Sequence, residues 1–283
     1  MNAAHADGTQ PVSSTDAQPV VLLLPGMSLN ETIFPKLPFP TISCDYNGVI
    51  LPGGGSEPAD DKLAAYRHVL SNQLRSDRRW RFARRRIVVG HSFGGMLALD
   101  WLTRHETAAE IQVDGLVLIS ATGGRVFDAI KLRLFGIRRT EMRVPVKWIV
   151  QFWTRPTIMR AMKRLTCRGS LAVGRVDFGA LEAKSDLAIG LAGWRNTDWR
   201  AMRSYRLAMD GFDVTDSLFR LTVPTVVLHG SRDSLLPVSE GRKLAEALPH
   251  AEFRVVEEAG HVLPLTHGGE VERSVNQLLE IPV

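Results

Sequence analysis

Gly90-His91-Ser92-Phe93-Gly94-Gly95 is the stretch from which the rest of the chain is read. Apolar Ile87-Val88-Val89 leads in, and the helix-forming run Met96-Leu97-Ala98-Leu99-Asp100-Trp101-Leu102 leads out. The pattern is strand, sharp turn, helix, with a serine at the apex. Its spacing is G-x-S-x-G, the nucleophile elbow. So tight a turn leaves no room for side chains beside the serine, hence a glycine two residues to either side. The elbow lifts the Ser92 hydroxyl clear of the sheet. It also sets the Phe93 N–H, at the helix start, toward an oxyanion forming there. The pentapeptide arises by chance in glycine-rich loops, and the flanking strand and helix are what separate the two cases. A serine of this kind needs a base, an acid and a second oxyanion donor from elsewhere.

Upstream, Val20 to Leu24 is an unbroken apolar run, the mark of a strand buried on both faces. It ends at Pro25-Gly26-Met27-Ser28, in a loop where an open α/β sheet places ligand-binding groups. A short second strand is expected over 42–46, then a turn-rich loop, Pro52-Gly53-Gly54-Gly55-Ser56. A helix is expected over 58–75, with Pro58, Asp60 and Asp61 suiting its first turn and Leu63, Tyr66, Val69, Leu70 and Leu74 its apolar face. The elbow helix should run to about His105, and Leu116-Val117-Leu118-Ile119 is the next buried strand. Strands alternating with helices over 20–122 argue for a mostly parallel sheet. After Gly123-Gly124 the pattern changes to helical patches rich in Trp, Met, Leu and Arg, at 148–153, 158–162 and 194–209. They suit a helical cap laid over the C-terminal edge of the sheet, its inner face both core and pocket wall. Sheet pattern returns at Thr225-Val226-Val227-Leu228 and Phe253-Arg254-Val255-Val256, with helices expected over 239–248 and 269–279. The organisation expected is a disordered tail at 1–18, a core at 19–124 and 217–283, and a cap at 125–216.

The 283 residues are 45% hydrophobic and 23% charged, ordinary globular values with enough apolar mass for a core. No apolar run is long enough to span a bilayer, and the N-terminus lacks the basic and apolar regions of a signal peptide. Cys44 and Cys167 lie far apart in no metal-ligand spacing and read as incidental thiols. Cysteine usage and leader pattern together lead to a cytoplasmic placement as the expectation. The net charge of +5 is uneven: 125–175 hold thirteen Lys or Arg against Asp128 and Glu141. A second run, Arg75 to Arg86, carries seven arginines and one aspartate. Such charge is either a set of solvated helix faces or a surface for an acidic partner or phosphate-bearing carrier. No nucleic-acid motif accompanies it, so nucleic acid is not an expected partner.

Two later loops hold the missing groups. The strand at 225–228 runs into His229-Gly230-Ser231-Arg232-Asp233, which places Asp233 ahead of a helix. The strand at 253–256 runs into Glu257-Glu258-Ala259-Gly260-His261, which places His261 in the corresponding loop one unit later. Both loops open on the edge where Ser92 sits, and the chain order Ser, Asp, His is the one this geometry requires. His91 and His229 read as packing residues, His267 opens the last helix, and Asp45 lies in a loop before the elbow. No His, Cys or Asp cluster has metal spacing, and no glycine turn fits a dinucleotide, so neither metal nor cofactor is expected.

With Leu24-Pro25-Gly26-Met27, the elbow hexapeptide, His229-Gly230-Ser231-Arg232-Asp233 with Pro237, and Gly260-His261, the chain resembles the α/β-hydrolase superfamily over nearly all of 20–280. Among its branches it is most similar to the carboxylesterases that cleave pimeloyl-carrier methyl esters and to related small bacterial esterases. The resemblance implies a three-layer α/β/α sandwich with Ser92 as nucleophile, His261 as general base and Asp233 as its orienting acid. It also implies an oxyanion hole from the backbone N–H groups of Phe93 and Met27, the latter carried over from the family position after Gly26. A serine at the elbow sets the chain apart from relatives with an aspartate nucleophile. Two departures stand out: Pro25-Gly26 replaces the usual His-Gly, and the first two family strands have no counterpart in 1–18, which trims the expected sheet to about six strands. The implied activity is hydrolysis of a small-molecule or carrier-bound acyl ester through an acyl-enzyme. Arg138, Arg139, Lys163 and Arg164 are candidates to meet an acyl carrier protein. Thioester hydrolysis is the nearest rival, and a non-catalytic ligand-binding protein on the same fold is the alternative of another class.

Overall fold

The computed structural model describes residues 18–51, 61–104, 112–126, 193, 197–210 and 212–282. Six strands form one sheet: β1 (Val20–Leu24), β2 (Thr41–Ser43), β3 (Arg86–His91), β4 (Gly115–Ile119), β5 (Thr225–Gly230) and β6 (Ala251–Val256). Their order is β2-β1-β3-β4-β5-β6, and every pairing is parallel. The six-stranded parallel sheet matches the sequence expectation.

Period-two alternation divides the apolar strands between two cores. Val20, Leu22 and Leu24 of β1 and Val88 of β3 join one core, together with α1 (Ala64–Ser76) and α3 (Phe93–Thr103). Val21, Leu23, Ile87 and Val89 join the other, with the short α6 (Leu263–Thr266) and α7 (Gly268–Glu280). Burying each such side chain contributes about 1.5–3 kcal/mol. Between α1 and β3 lies the single turn α2 (Arg78–Arg81), capped by the Asp77 side chain accepting from Arg79 N–H at 2.8 Å. On the first core's side lie α4 (Trp199–Met209) and α5 (Val238–Ala247), and two 3-10 helices, Glu31–Ile33 and Thr215–Arg220, are also present.

Several boundaries move for physical reasons. Helix α1 starts at Ala64, so Asp61 sits ahead of it and pairs with Arg67 instead of serving the helix end; Pro58 and Asp60 lie outside the described residues. Strand β2 is only three residues long, an edge strand bonded on one side to β1. Strand β5 continues through His229 and Gly230, which the apolar pattern alone does not reach. His267 takes the N-cap position of α7, as read. Of the segment expected as a cap, the part at 127–192 lies outside the described residues, as does the tail at 1–17. Helix α4, near its far end, packs into the main core through Tyr205 and Ala208. None of the helices among the described residues is long and apolar enough to cross a membrane.

Candidate active site

Parallel register puts the functional loops side by side. Leu24 pairs with Gly90, so the loops leaving β1 and β3 emerge together, at the point where strand order reverses. Gly230 pairs with Val256, so the loops leaving β5 and β6 emerge together as well. At the elbow, Ser92 has φ 51° and ψ −116°, and its N–H donates to Ile119 O at 2.9 Å. A non-glycine residue in this region costs about 1–3 kcal/mol, a strain typical of functional turns. The elbow glycines are needed sterically: a Cβ on Gly90 would sit 2.7 Å from Gly95 Cα, and one on Gly94 would sit 2.0 Å from Leu24 O. The start of α3 is therefore seated against the end of β1 and the start of the loop that carries Met27.

Three side chains meet in a line. His261 Nε2 lies 3.0 Å from Ser92 Oγ, and His261 Nδ1 lies 2.8 Å from Asp233 Oδ2. The other oxygen of Asp233 accepts from Leu235 N–H at 2.9 Å and Leu236 N–H at 2.8 Å. Burial alone would raise the Asp233 carboxyl, but hydrogen bonds from His229 and His261, the charge of His261 and the Leu236 N–H outweigh it and hold the group well below the usual carboxylate range. An ionised Asp233 keeps the proton of His261 on Nδ1 and leaves Nε2 bare toward the serine.

The corner beside Ser92 is built from backbone. Phe93 opens α3, and the N–H groups of a first turn have no intrahelical carbonyl to meet. The 26–29 turn is closed by Leu29 N–H donating to Gly26 O at 3.0 Å, and Ser28 takes φ 63°. The carbonyl of Pro25, where the family usually places the residue before this glycine as histidine, accepts from the Tyr46 hydroxyl. Ser28 Oγ lies 2.8 Å from Met202 Sδ on α4. Beneath the corner the Phe93 ring packs edge-on against Tyr66 at 5.0 Å and Tyr205 at 4.7 Å.

Asp45 is not part of this line; its carboxylate accepts from Asn47 N–H at 3.0 Å. Cys44 is buried, and burial pushes its thiol up to about 12, with Asp45 adding to the shift; an inert role follows. Arg138, Arg139, Lys163 and Arg164, and also Cys167, lie outside the described residues. Among the described residues no cluster of three His, Cys, Asp or Glu could hold a metal. His229, which the sequence marks as a packing residue, is fully buried, and its Nε2 also lies 3.0 Å from Leu236 O and 3.4 Å from Asp233 Oδ2. Its position at the end of β5, four residues before Asp233 in the following loop, is the signal for that second contact.

A family model described as "Alpha/beta hydrolase family" matches residues 21–273. The chain belongs to the alpha/beta hydrolase family. This alpha/beta hydrolase is 28% identical over 265 residues to a pimeloyl-[acyl-carrier protein] methyl ester esterase of Aromatoleum aromaticum, covering 88% of this chain and 94% of that one. It is 26% identical over 277 residues to the protein of the same name from Chromobacterium violaceum, covering 93% and 94%. Among solved structures, the esterase RhEst1 from Rhodococcus sp. ECU1013 superposes with a TM-score of 0.62 at 19% identity, covering 95% of this hydrolase chain and 92% of that structure. At that identity the likeness speaks for the fold.

Proposed function

We propose that this alpha/beta hydrolase is a serine esterase that works through an acyl-enzyme. The observation that carries the proposal is the line from Asp233 through His261 to Ser92, with contacts of 2.8 and 3.0 Å. Ser92 Oγ attacks the ester carbonyl carbon while His261 Nε2 takes its proton. The carbonyl oxygen becomes an oxyanion held by the N–H groups of Phe93 and Met27, each worth about 10²–10³ in rate. Collapse breaks the bond to the leaving oxygen, and His261 returns the proton to it as the alcohol departs. Water then repeats the sequence on the acyl-enzyme, releasing the acid and restoring Ser92. Asp233 orients His261 throughout and stabilises its cation.

The two relatives named as acting on a carrier-bound methyl ester align over 94% of their own lengths, which supports the same substrate class here. The excess of positive charge over 125–175 suits an acidic carrier. A fluorophosphonate probe should label the wild-type protein at Ser92 and leave Ser92→Ala unlabelled; labelling of both at equal rate would overturn the nucleophile. Turnover of p-nitrophenyl esters, acyl-CoA thioesters and a carrier-bound methyl ester ranks the leaving groups. Reversing charge at Arg138, Arg139, Lys163 and Arg164 should slow the carrier-bound substrate and spare the small ester. Equal effects would remove the carrier from the proposal.

A further inference from the structure

His91 has no chemical step in the proposed reaction, yet it touches both the loop that carries His261 and the turn that leads to Met27. It precedes Ser92 at the end of β3 and is wholly buried. Its Nε2 lies 2.9 Å from the backbone carbonyl of His261. A carbonyl only accepts, so Nε2 carries the proton and donates. The two imidazole rings stand 5.3 Å apart. On the other side of the ring is the turn at Gly26, where an added Cβ would lie 2.8 Å from His91 Nδ1. The ring is thus the floor of the turn whose next residue is Met27. Burial drives its pKa down to about 3, with His261 adding to the shift, so the ring is neutral in ordinary buffers. Its Nδ1 has no hydrogen-bond partner among the described residues. An apolar ring would have no unpaired Nδ1; what it would lack is the bond to His261, whose carbonyl would lose this donor.

We propose that His91 is a positioning residue, whose Nε2–H holds the main chain of His261 at the height from which the imidazole spans Asp233 and Ser92. This rests on the serine-esterase reading. Asp233 fixes the far nitrogen of His261 but leaves the ring free to pivot about that contact. The bond from His91 ties down the backbone end, giving the base two anchors. A misplacement of about 1 Å at such a centre costs on the order of 10² in rate.

The test compares His91→Phe, which keeps a ring and removes the donor, with His91→Gln, whose side-chain N–H has nearly the same reach. Rates on a p-nitrophenyl ester are divided by the number of Ser92 sites titrated with fluorophosphonate, so that loss of folded protein does not count. The His91→Phe variant should lose roughly 30- to 100-fold in kcat with KM within about twofold, and His91→Gln should recover to within about fivefold of wild type. Equal losses in both variants, or a His91→Phe variant within about twofold of wild type, would overturn the proposal. A wild-type protein that neither labels nor turns over would defeat the esterase reading instead. The nitrogen-15 spectrum of labelled wild-type protein then still decides on His91 itself. It should report the neutral Nε2–H tautomer from pH 5 to 8, and an Nδ1–H tautomer would overturn the bond on which the proposal stands.

Discussion

Replacing Asp233 with asparagine removes one charge and changes almost no volume, and every contact of this carboxylate is with a donor. One oxygen accepts from the N–H groups of Leu235 and Leu236 at 2.9 and 2.8 Å. The other faces His261 Nδ1 at 2.8 Å and His229 Nε2 at 3.4 Å. An amide has a single acceptor oxygen. If it stays on the two backbone N–H groups, the new NH₂ faces His261, which must move its proton from Nδ1 to Nε2 to accept it. A protonated Nε2 cannot take the proton of Ser92, and kcat should fall by about 10⁴, or about 5 kcal/mol of barrier. If the amide turns the other way, the rate survives but the exposed N–H of Leu235 and the half-buried N–H of Leu236 lose their acceptor, at about 1 kcal/mol together. The two outcomes separate when kcat on p-nitrophenyl butyrate and the urea midpoint are measured together. We expect a loss of 10³–10⁴ in rate with little change in stability. A loss below about tenfold with an unchanged midpoint would refute the reasoning about the donors.

Three further outcomes follow from the same structure. Because His91 is held neutral in the fold and its pKa depressed, its contribution to stability is complete above its unfolded value near 6.5 and declines as pH falls toward about 3, by roughly 1.4 kcal/mol per unit. Between pH 7 and pH 5 the wild-type protein should lose about 2 kcal/mol more unfolding free energy than His91→Gln, and parallel losses would count against a buried neutral ring. Gly94→Ala drives a Cβ onto Leu24 O and should cost about 3 kcal/mol or more in urea unfolding, with slower fluorophosphonate labelling as the Phe93 N–H shifts; a stable, fully reactive variant would contradict the contact. Tyr205→Phe loses the 2.9 Å bond to Asn47 Oδ1 and should cost about 1 kcal/mol, whereas Tyr205→Ala also empties the space against Phe93 and should cost about 3–5 kcal/mol; similar values for both would show that the ring does not pack as described.

The centre of the sheet was legible because β1, β3, β4 and β5 are buried on both faces, so apolar runs such as 20–24 and 116–119 mark them, whereas β2 and β6 are partly exposed and carry a weaker pattern. Strand ends were less so: His229 and Gly230 carry ladder bonds of β5 that an apolar pattern does not register. Ser92, Asp233 and His261 could be placed because each follows a strand in the order one geometry demands. The supporting groups could not. Tyr46 reaches Pro25 O across 21 residues, and Tyr205 reaches Asn47 across 158. Contacts of that range leave no local trace. His91 and His229 were visible as buried histidines, but a side chain's hydrogen-bond partner depends on which loop lies over it, and that is a property of the folded sheet.

The chain leaves the described core at Val126, itself buried in the main apolar cluster, and is met again at Gly193, where an added Cβ would lie 2.8 Å from Ser28 O. From there Thr197 and Tyr205 carry it down to the Phe93 ring. Gly193 is thus seated against the 26–29 turn, and Val126 is anchored in the main core. In engineering terms, Val126 and Gly193 are fixed sockets on either side of 127–192. Chimaeras cut at 126 and 193 test the cap expected at 125–216: on that proposal a foreign segment changes which esters are turned over while the contacts of Ser92, His261 and Asp233 stay as described.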